Sequence, residues 1–167
     1  KPGNGEWQEK DREAPAYSTR QSSWKKLKAA PEELRAFVND NFRYFPFEND
    51  NFYLMGGSLF ACPFEPLNID LMKVLRMGVH VGELGHGKLK PAQHYVMTLP
   101  EDVYRRTVGL DPAGDQIKRY LRGESLEIPG AANGITAVRV SGHTVGLGDV
   151  RNGILKNLYP KGWRRIL

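Results

Sequence analysis

The spacing of apolar positions changes character along the chain. Residues 1–23, KPGNGEWQEKDREAPAYSTRQSS, show no apolar rhythm and mix Pro, Gly, Ser and charges of both signs, so they read as a linker or mobile arm. Pro31-Glu32-Glu33 then opens a helix, because proline suits a first turn and acids there favour the helix dipole. Leu34, Phe37, Val38 and Phe42 fall at i, i+3, i+4 and i+8 and give that helix one apolar stripe. From residue 44 to residue 85 the pattern shortens to strands between turns. Asn51–Met55 precedes Gly56-Gly57, Ser58–Cys62 stops at Pro63, and Met72–Met77 leads through Gly78 into Val79–Val81.

A loop over residues 85–90 leads to a second helix, 91–98, opened by Pro91. Asp111-Pro112 caps a third, about 112–122, with Ile117, Tyr120 and Leu121 inward and Lys118, Arg119 and Arg122 outward. After Gly130 the chain is β in character. Ile135–Val140 alternates, and Gly142 and Asn152-Gly153 mark hairpin turns. The order predicts an α+β fold of two small units meeting near residue 100. The second would be a helix followed by a small antiparallel, barrel-like sheet.

At 167 residues and 40% hydrophobic content, the chain can build a real core. The formal net charge of +5 is unevenly spread. Residues 1–31 hold seven Lys/Arg against four acids, residues 32–149 twelve against fifteen, and residues 150–167 five against none. Clustered cations of this kind are what a polyanion recognises. Cys62 has no partner for an internal disulfide and fits a reducing cytoplasm. No apolar run reaches membrane-spanning length, and the N-terminus lacks a signal-peptide pattern. Because the first residue is Lys1 rather than Met, a longer parent protein is expected.

Candidate chemistry is sparse. His80, His86 and His94 lack the helical i, i+4 pairing of a zinc site and read as structural or surface residues. Gly82-Glu-Leu-Gly85 has the spacing of a KH-type RNA clamp, but a strand precedes it where a helix is needed. Gly146-Leu-Gly148 is a fragment of a dinucleotide fingerprint without its third glycine, and more simply serves tight turns and a coiled sheet. Cys62 sits in an apolar strand with no neighbouring cation, as a buried, inert thiol would. No catalytic or metal-binding set emerges.

The basic segments remain. A solvated helix face would account for Lys118, Arg119 and Arg122. Residues 156–165 are harder to dismiss, because Lys156, Lys161, Arg164 and Arg165 alternate with Tyr159 and Trp163. Strand-like residues anchor the front of this segment. Cations for phosphates and rings for unpaired bases suit RNA.

NGILKNLYPKGWRR, residues 152–165, resembles the closing segment of the bacterial RsmF/YebU-type RNA methyltransferases, of the Sun-type (NSUN) family of cytosine-5 enzymes. Leu75–Leu84, followed by Lys88 and Pro91, and Tyr120-Leu-Arg-Gly-Glu124 match the same C-terminal region in order and spacing. The likeness covers about residues 32–165. It implies a linker over 1–31, a first small α+β unit over 32–100, and a PUA-like RNA-binding domain over 101–167. The expected RNA contacts are Lys118, Arg119, Arg122, Lys156, Asn157, Tyr159, Lys161, Trp163, Arg164 and Arg165. The chain departs from the family at Leu147, Asp149 and Leu158, where tryptophan, lysine and histidine are expected; this turns attention from the 143–149 hairpin to residues 156–165.

The resemblance further implies a parent enzyme that binds S-adenosylmethionine in a domain missing from this chain. Cys62 matches neither catalytic cysteine context of that family, so no catalytic residue, cofactor or metal is expected here. The expected partners are structured RNA, ribosomal RNA in particular, and the methyltransferase domain, in the cytoplasm. The competing readings are a protein-interaction module docking on the catalytic domain or a ribosomal protein, and a free-standing small enzyme.

Overall fold

Pro31, at φ −65° and ψ 155°, holds the extended backbone from which helix α1 (Glu32–Asn41) departs. The computed structural model describes residues 24–64 and 78–164. The proposed arm over 1–23, the strand expected at Met72–Met77, and Arg165 lie outside the described residues.

The first sheet runs in chain order through β1 (Trp24–Lys26), β2 (Asn51–Met55), β3 (Ser58–Cys62), β4 (Val79–Gly85) and β5 (Lys88–Pro91), with every neighbouring pair antiparallel. Strand period sorts its side chains onto two faces. Phe52, Leu59, Ala61, Val81 and Leu89 join Leu34, Val38 and Phe42 of the α1 stripe in one core. Tyr53, Phe60 and Cys62 form a smaller cluster with Trp24 on the other face.

Two expectations change in this unit. Residues 85–90 are a hairpin rather than a loop: His86 (φ 51°) and Gly87 (φ 68°) make a two-residue turn with both φ values positive, which matches strand twist. Pro91 ends β5, and helix α2 (Gln93–Thr98) starts two residues later. Trp24–Lys26, expected as part of the linker, is an edge strand on β2.

The second sheet has the order β6 (Thr107–Leu110), β8 (Gly134–Val140), β9 (His143–Arg151), β10 (Ile154–Asn157), β7 (Leu126–Glu127) and curls into a half-barrel. The hairpins at Ser141-Gly142 and Asn152-Gly153 lie where the glycines placed them, with positive φ at all four residues. The sheet is not wholly antiparallel, however. β6 precedes the helix and pairs with β8 in parallel. A parallel pair requires a crossover, supplied here by helix α3 (Asp115–Arg122) and β7. The helix begins at Asp115 rather than 112 because Asp111 Oδ1 accepts a bond from Ala113 N at 2.9 Å and its carbonyl one from Gly114 N at 3.0 Å, forming a turn first.

The main core is continuous between the two sheets, since Val103, Tyr104, Ala137 and Leu147 belong to the same cluster as Leu34 and Phe52. Phe42 bridges to Tyr104 as an isolated antiparallel pair. Arg106 donates to Asp40 O (2.8 Å), Asn41 Oδ1 (2.9 Å) and Ile135 O (3.1 Å), and Gln93 Nε2 donates to Val145 O (2.7 Å). These contacts hold the second sheet, and with it the C-terminal segment, at one angle to the first.

Candidate nucleic-acid interface

Helix α3 buries Ile117 and Tyr120 and ends at Gly123, whose φ of 89° is left-handed. Gly123 N donates to Tyr120 O and Glu124 N to Arg119 O, which closes the helix as glycine at this position commonly does. Arg119 and Arg122 stand in the last turn, where the helix dipole favours cations. Both guanidinium groups also bond the carboxylate of Glu124, at 3.0 Å from Arg119 and 2.7 Å from Arg122. The bond from Arg122 first, and then that from Arg119, hold the Glu124 carboxyl below its ordinary range. Arg119 additionally donates to Ser125 O.

β10 brings Asn157 against the end of this helix. Its side-chain nitrogen donates to Tyr120 O (2.7 Å) and Glu124 O (2.9 Å), and its oxygen accepts from Tyr159 N (2.7 Å). Helix-end carbonyls need such partners, so the buried Asn157 amide is occupied inside the fold and positions the segment after it. The Tyr159 ring then packs at 5.5 Å from Tyr120 and 6.2 Å from Trp163. After Pro160 a single 3-10 turn, Lys161–Trp163, delivers Arg164 back to the helix end, where Nε and Nη2 donate to Tyr159 O. The segment is therefore folded onto α3 through residue 164.

The sequence-predicted residues divide accordingly. Lys118, Lys156 and Lys161 are exposed, and Trp163 is 48% exposed. Arg119, Arg122, Asn157, Tyr159 and Arg164 build the support beneath them. Lys156 stands opposite Asp149 in the β9–β10 register, and Asp149 also takes Arg151 Nε at 3.1 Å. An acid therefore sits beside Lys156, while Lys161 makes no ion pair among the described residues. Sequence reasoning gave Glu124 no role, although its spacing of two from Arg122 and five from Arg119 was visible. It also passed over exposed Ile154 on β10 and exposed Leu158 just after the strand, which flank Lys156 in sequence.

The remaining candidates take structural places. Gly146 and Gly148 lie inside β9 rather than in a turn. A Cβ on Gly146 would meet Tyr120 Oη of α3 at 2.4 Å, and one on Gly148 would meet the Leu155 side chain of β10 at 2.4 Å. Glycine thus permits close approach of helix α3 at the first position and of the neighbouring strand's side chain at the second. Gly82–Gly85 lies within β4. Cys62 is fully buried. His80 Nε2 lies 3.0 Å from a Glu83 carboxylate, and His86 sits in the β4–β5 turn. Among the described residues no three metal-ligating side chains converge.

A curled five-stranded sheet closed by one helix, with cations and aromatic rings held at the helix end, defines a PUA-like domain that follows a first small α+β unit in the chain. Residues 36–99 match the family model of the RsmF rRNA methyltransferase first C-terminal domain, and residues 108–165 match that of the methyltransferase RsmF PUA domain. The chain belongs to this family and carries the C-terminal region of an RsmF-type rRNA methyltransferase. These matches include no catalytic domain. Comparison with curated proteins returned no match.

Proposed function

We propose that this region binds structured ribosomal RNA and positions it for the catalytic domain of a cytosine-5 methyltransferase. The observation that carries the reading is the pairing of exposed Lys161 with half-exposed Trp163 on a turn that Asn157 and Arg164 hold rigidly against α3. Prepositioned ammonium groups take phosphates, and a held indole stacks on an unpaired base with little ordering cost. Lys118 and Lys156 extend the cationic surface, Arg165 adds a further charge to the same segment of sequence, and Arg119 and Arg122 add field that Glu124 partly offsets. Residues 24–100 and 101–167 act as the two units of this platform, with residues 1–23 leading in from the catalytic domain. S-adenosylmethionine would bind that domain, and the parent would work in the cytoplasm.

The test is binding of the whole chain to a ribosomal RNA hairpin as a function of salt. Replacing Lys118, Lys161 and Arg165 with Ala should flatten the plot of log affinity against log salt by about 2 to 3. An unchanged slope and affinity in a folded variant would refute the reading. A second reading, docking on the catalytic domain, is favoured by exposed Ile154 on β10 and exposed Leu158 just after it. It predicts instead that Ile154→Ser with Leu158→Ser separates the two domains.

A further inference from the structure

The first unit contains a cavity of about 480 Å³ between the Leu27–Ala30 stretch, α1 and the Phe45–Phe52 segment. That size falls in the range of roughly 300–1,000 Å³ typical of small-ligand sites. Phe45, half-buried, forms part of the wall, and the buried Phe47 and Phe52 stand with it in one aromatic group. Lys28 and Arg35 supply two cations, Glu48 and Asp50 two carboxylates, and Asn51 an amide.

The state of these polar groups sets the cavity apart. Among the described residues, none of the five side chains makes an ion pair or a side-chain hydrogen bond. Two cations and two acids line one cavity without pairing to each other. At the end of α3 the reverse holds, with Arg119, Arg122 and Arg164 all committed to partners inside the protein. Uncommitted groups of both signs beside aromatic rings call for a ligand that is anionic at one end and a hydrogen-bond donor on a flat apolar body at the other.

We propose that this cavity holds a single unpaired nucleotide of the RNA, with its phosphate on Lys28 and Arg35, its base against Phe45, and guanine preferred. The preference follows from chemistry. A carboxylate only accepts hydrogen bonds, and guanine alone presents two adjacent donors, N1–H and N2–H, on its pairing edge. Asp50 is the acid suited to receive them, because burial raises its carboxyl above the ordinary range, as desolvation does, and a paired donor would relieve it. Asp50 also lies close enough to raise the pKa of Tyr95, which stacks on Phe47 and carries a buried hydroxyl with no hydrogen-bond partner among the described residues. This places the carboxylate toward the interior and leaves Glu48 at the exposed rim. The proposal rests on the RNA-binding reading above and adds a second contact to it, one that reads a base rather than only phosphates.

The experiment uses the whole chain and a set of RNA hairpins identical except for one bulged nucleotide: none, G, A, C or U. The G-bulged hairpin is expected to bind roughly five- to 150-fold more tightly than the unbulged one, the worth of about one stacked base. Asp50→Asn should remove the preference for G over A, and Phe45→Ala should shrink the gain from every bulge. Lys161→Ala with Trp163→Ala should instead weaken all hairpins alike. Because Phe45 also contacts the core, the native chain provides a second readout: backbone amide shifts at Lys28–Ala30 and Asp50–Phe52 on adding the G-bulged hairpin. Hairpins bound with no regard to the bulge, or a bulge preference that leaves these amides and Asp50→Asn unaffected, would overturn this proposal alone and leave the cavity to a protein segment. Failure to bind any hairpin would overturn the RNA reading and this proposal with it.

Discussion

The guanidinium of Arg164 lies across the Cα of Gly123, so close that a Cβ there would stand 2.4 Å from its Nε. This contact joins the last described residue of the chain to the end of α3. Gly123 is demanded twice, once by its φ of 89° and once by Arg164. Gly123→Ala is expected to cost about 1–3 kcal/mol, combining left-handed strain with displacement of the arginine. Urea unfolding measures it. Adding Arg164→Ala should give less than the sum of the single effects, because half of the conflict is then removed.

Asn157→Ala should behave as a structural lesion that reaches function. It strips partners from Tyr120 O, Glu124 O and Tyr159 N at once, at an expected cost of about 1–3 kcal/mol for the buried groups left unpaired. Loosening of the following turn should appear as a change in Trp163 emission. An Asn157→Ala chain with native stability and native Trp163 emission would show that the amide is not the anchor.

Trp163 and Lys161 should separate cleanly in RNA binding. Trp163→Ala is expected to lower affinity by about 1–3 kcal/mol while keeping the salt slope. Lys161→Ala should reduce the slope by about 0.7–0.9. Titrations at several salt concentrations distinguish the two effects.

Glu124 sets an acid-side dependence. Its folded pKa is lowered by Arg122 and Arg119 from an ordinary value of 4.5, so its contribution to stability is present above that value. The contribution is lost as pH falls through the lowered folded value. Glu124→Gln should therefore bring the stabilities of variant and native chain together on acidification below about 4.5, and thermal unfolding against pH should show the convergence. A gap that persists at the lowest pH would indicate a role other than charge.

Cys62 is expected to react slowly with thiol reagents in the native chain, since it is fully buried beside Tyr53 and Phe60. Cys62→Ser should retain RNA binding and lose about 1–3 kcal/mol of stability by burying a hydroxyl among apolar neighbours.

Features that depend on residues a few positions apart are legible along the chain. The spacing of Leu34, Val38 and Phe42 defines α1 because helical period is local. Glycine and proline bound β2 and β3, and the turns at Ser141-Gly142 and Asn152-Gly153 follow from the conformations that glycine and asparagine tolerate. The resemblance to the RsmF-type C-terminal region rests on the same short motifs, and the family matches carry it. Packing in three dimensions sets the parallel pairing of Thr107–Leu110 with a strand across the α3 crossover, and it joins Val103, Ala137 and Leu147 to Phe52 in one core. The same packing sorts the paired charges from the solvent-facing ones. Arg122 and Lys161 look alike in sequence, but one is held by Glu124 and the other faces solvent. The cavity walled by Lys28, Arg35 and Asp50 likewise exists only once α1 and the Phe45–Phe52 segment have closed on the Leu27–Ala30 stretch. Charge pairing and cavities depend on distance in space, and residue spacing does not encode that distance.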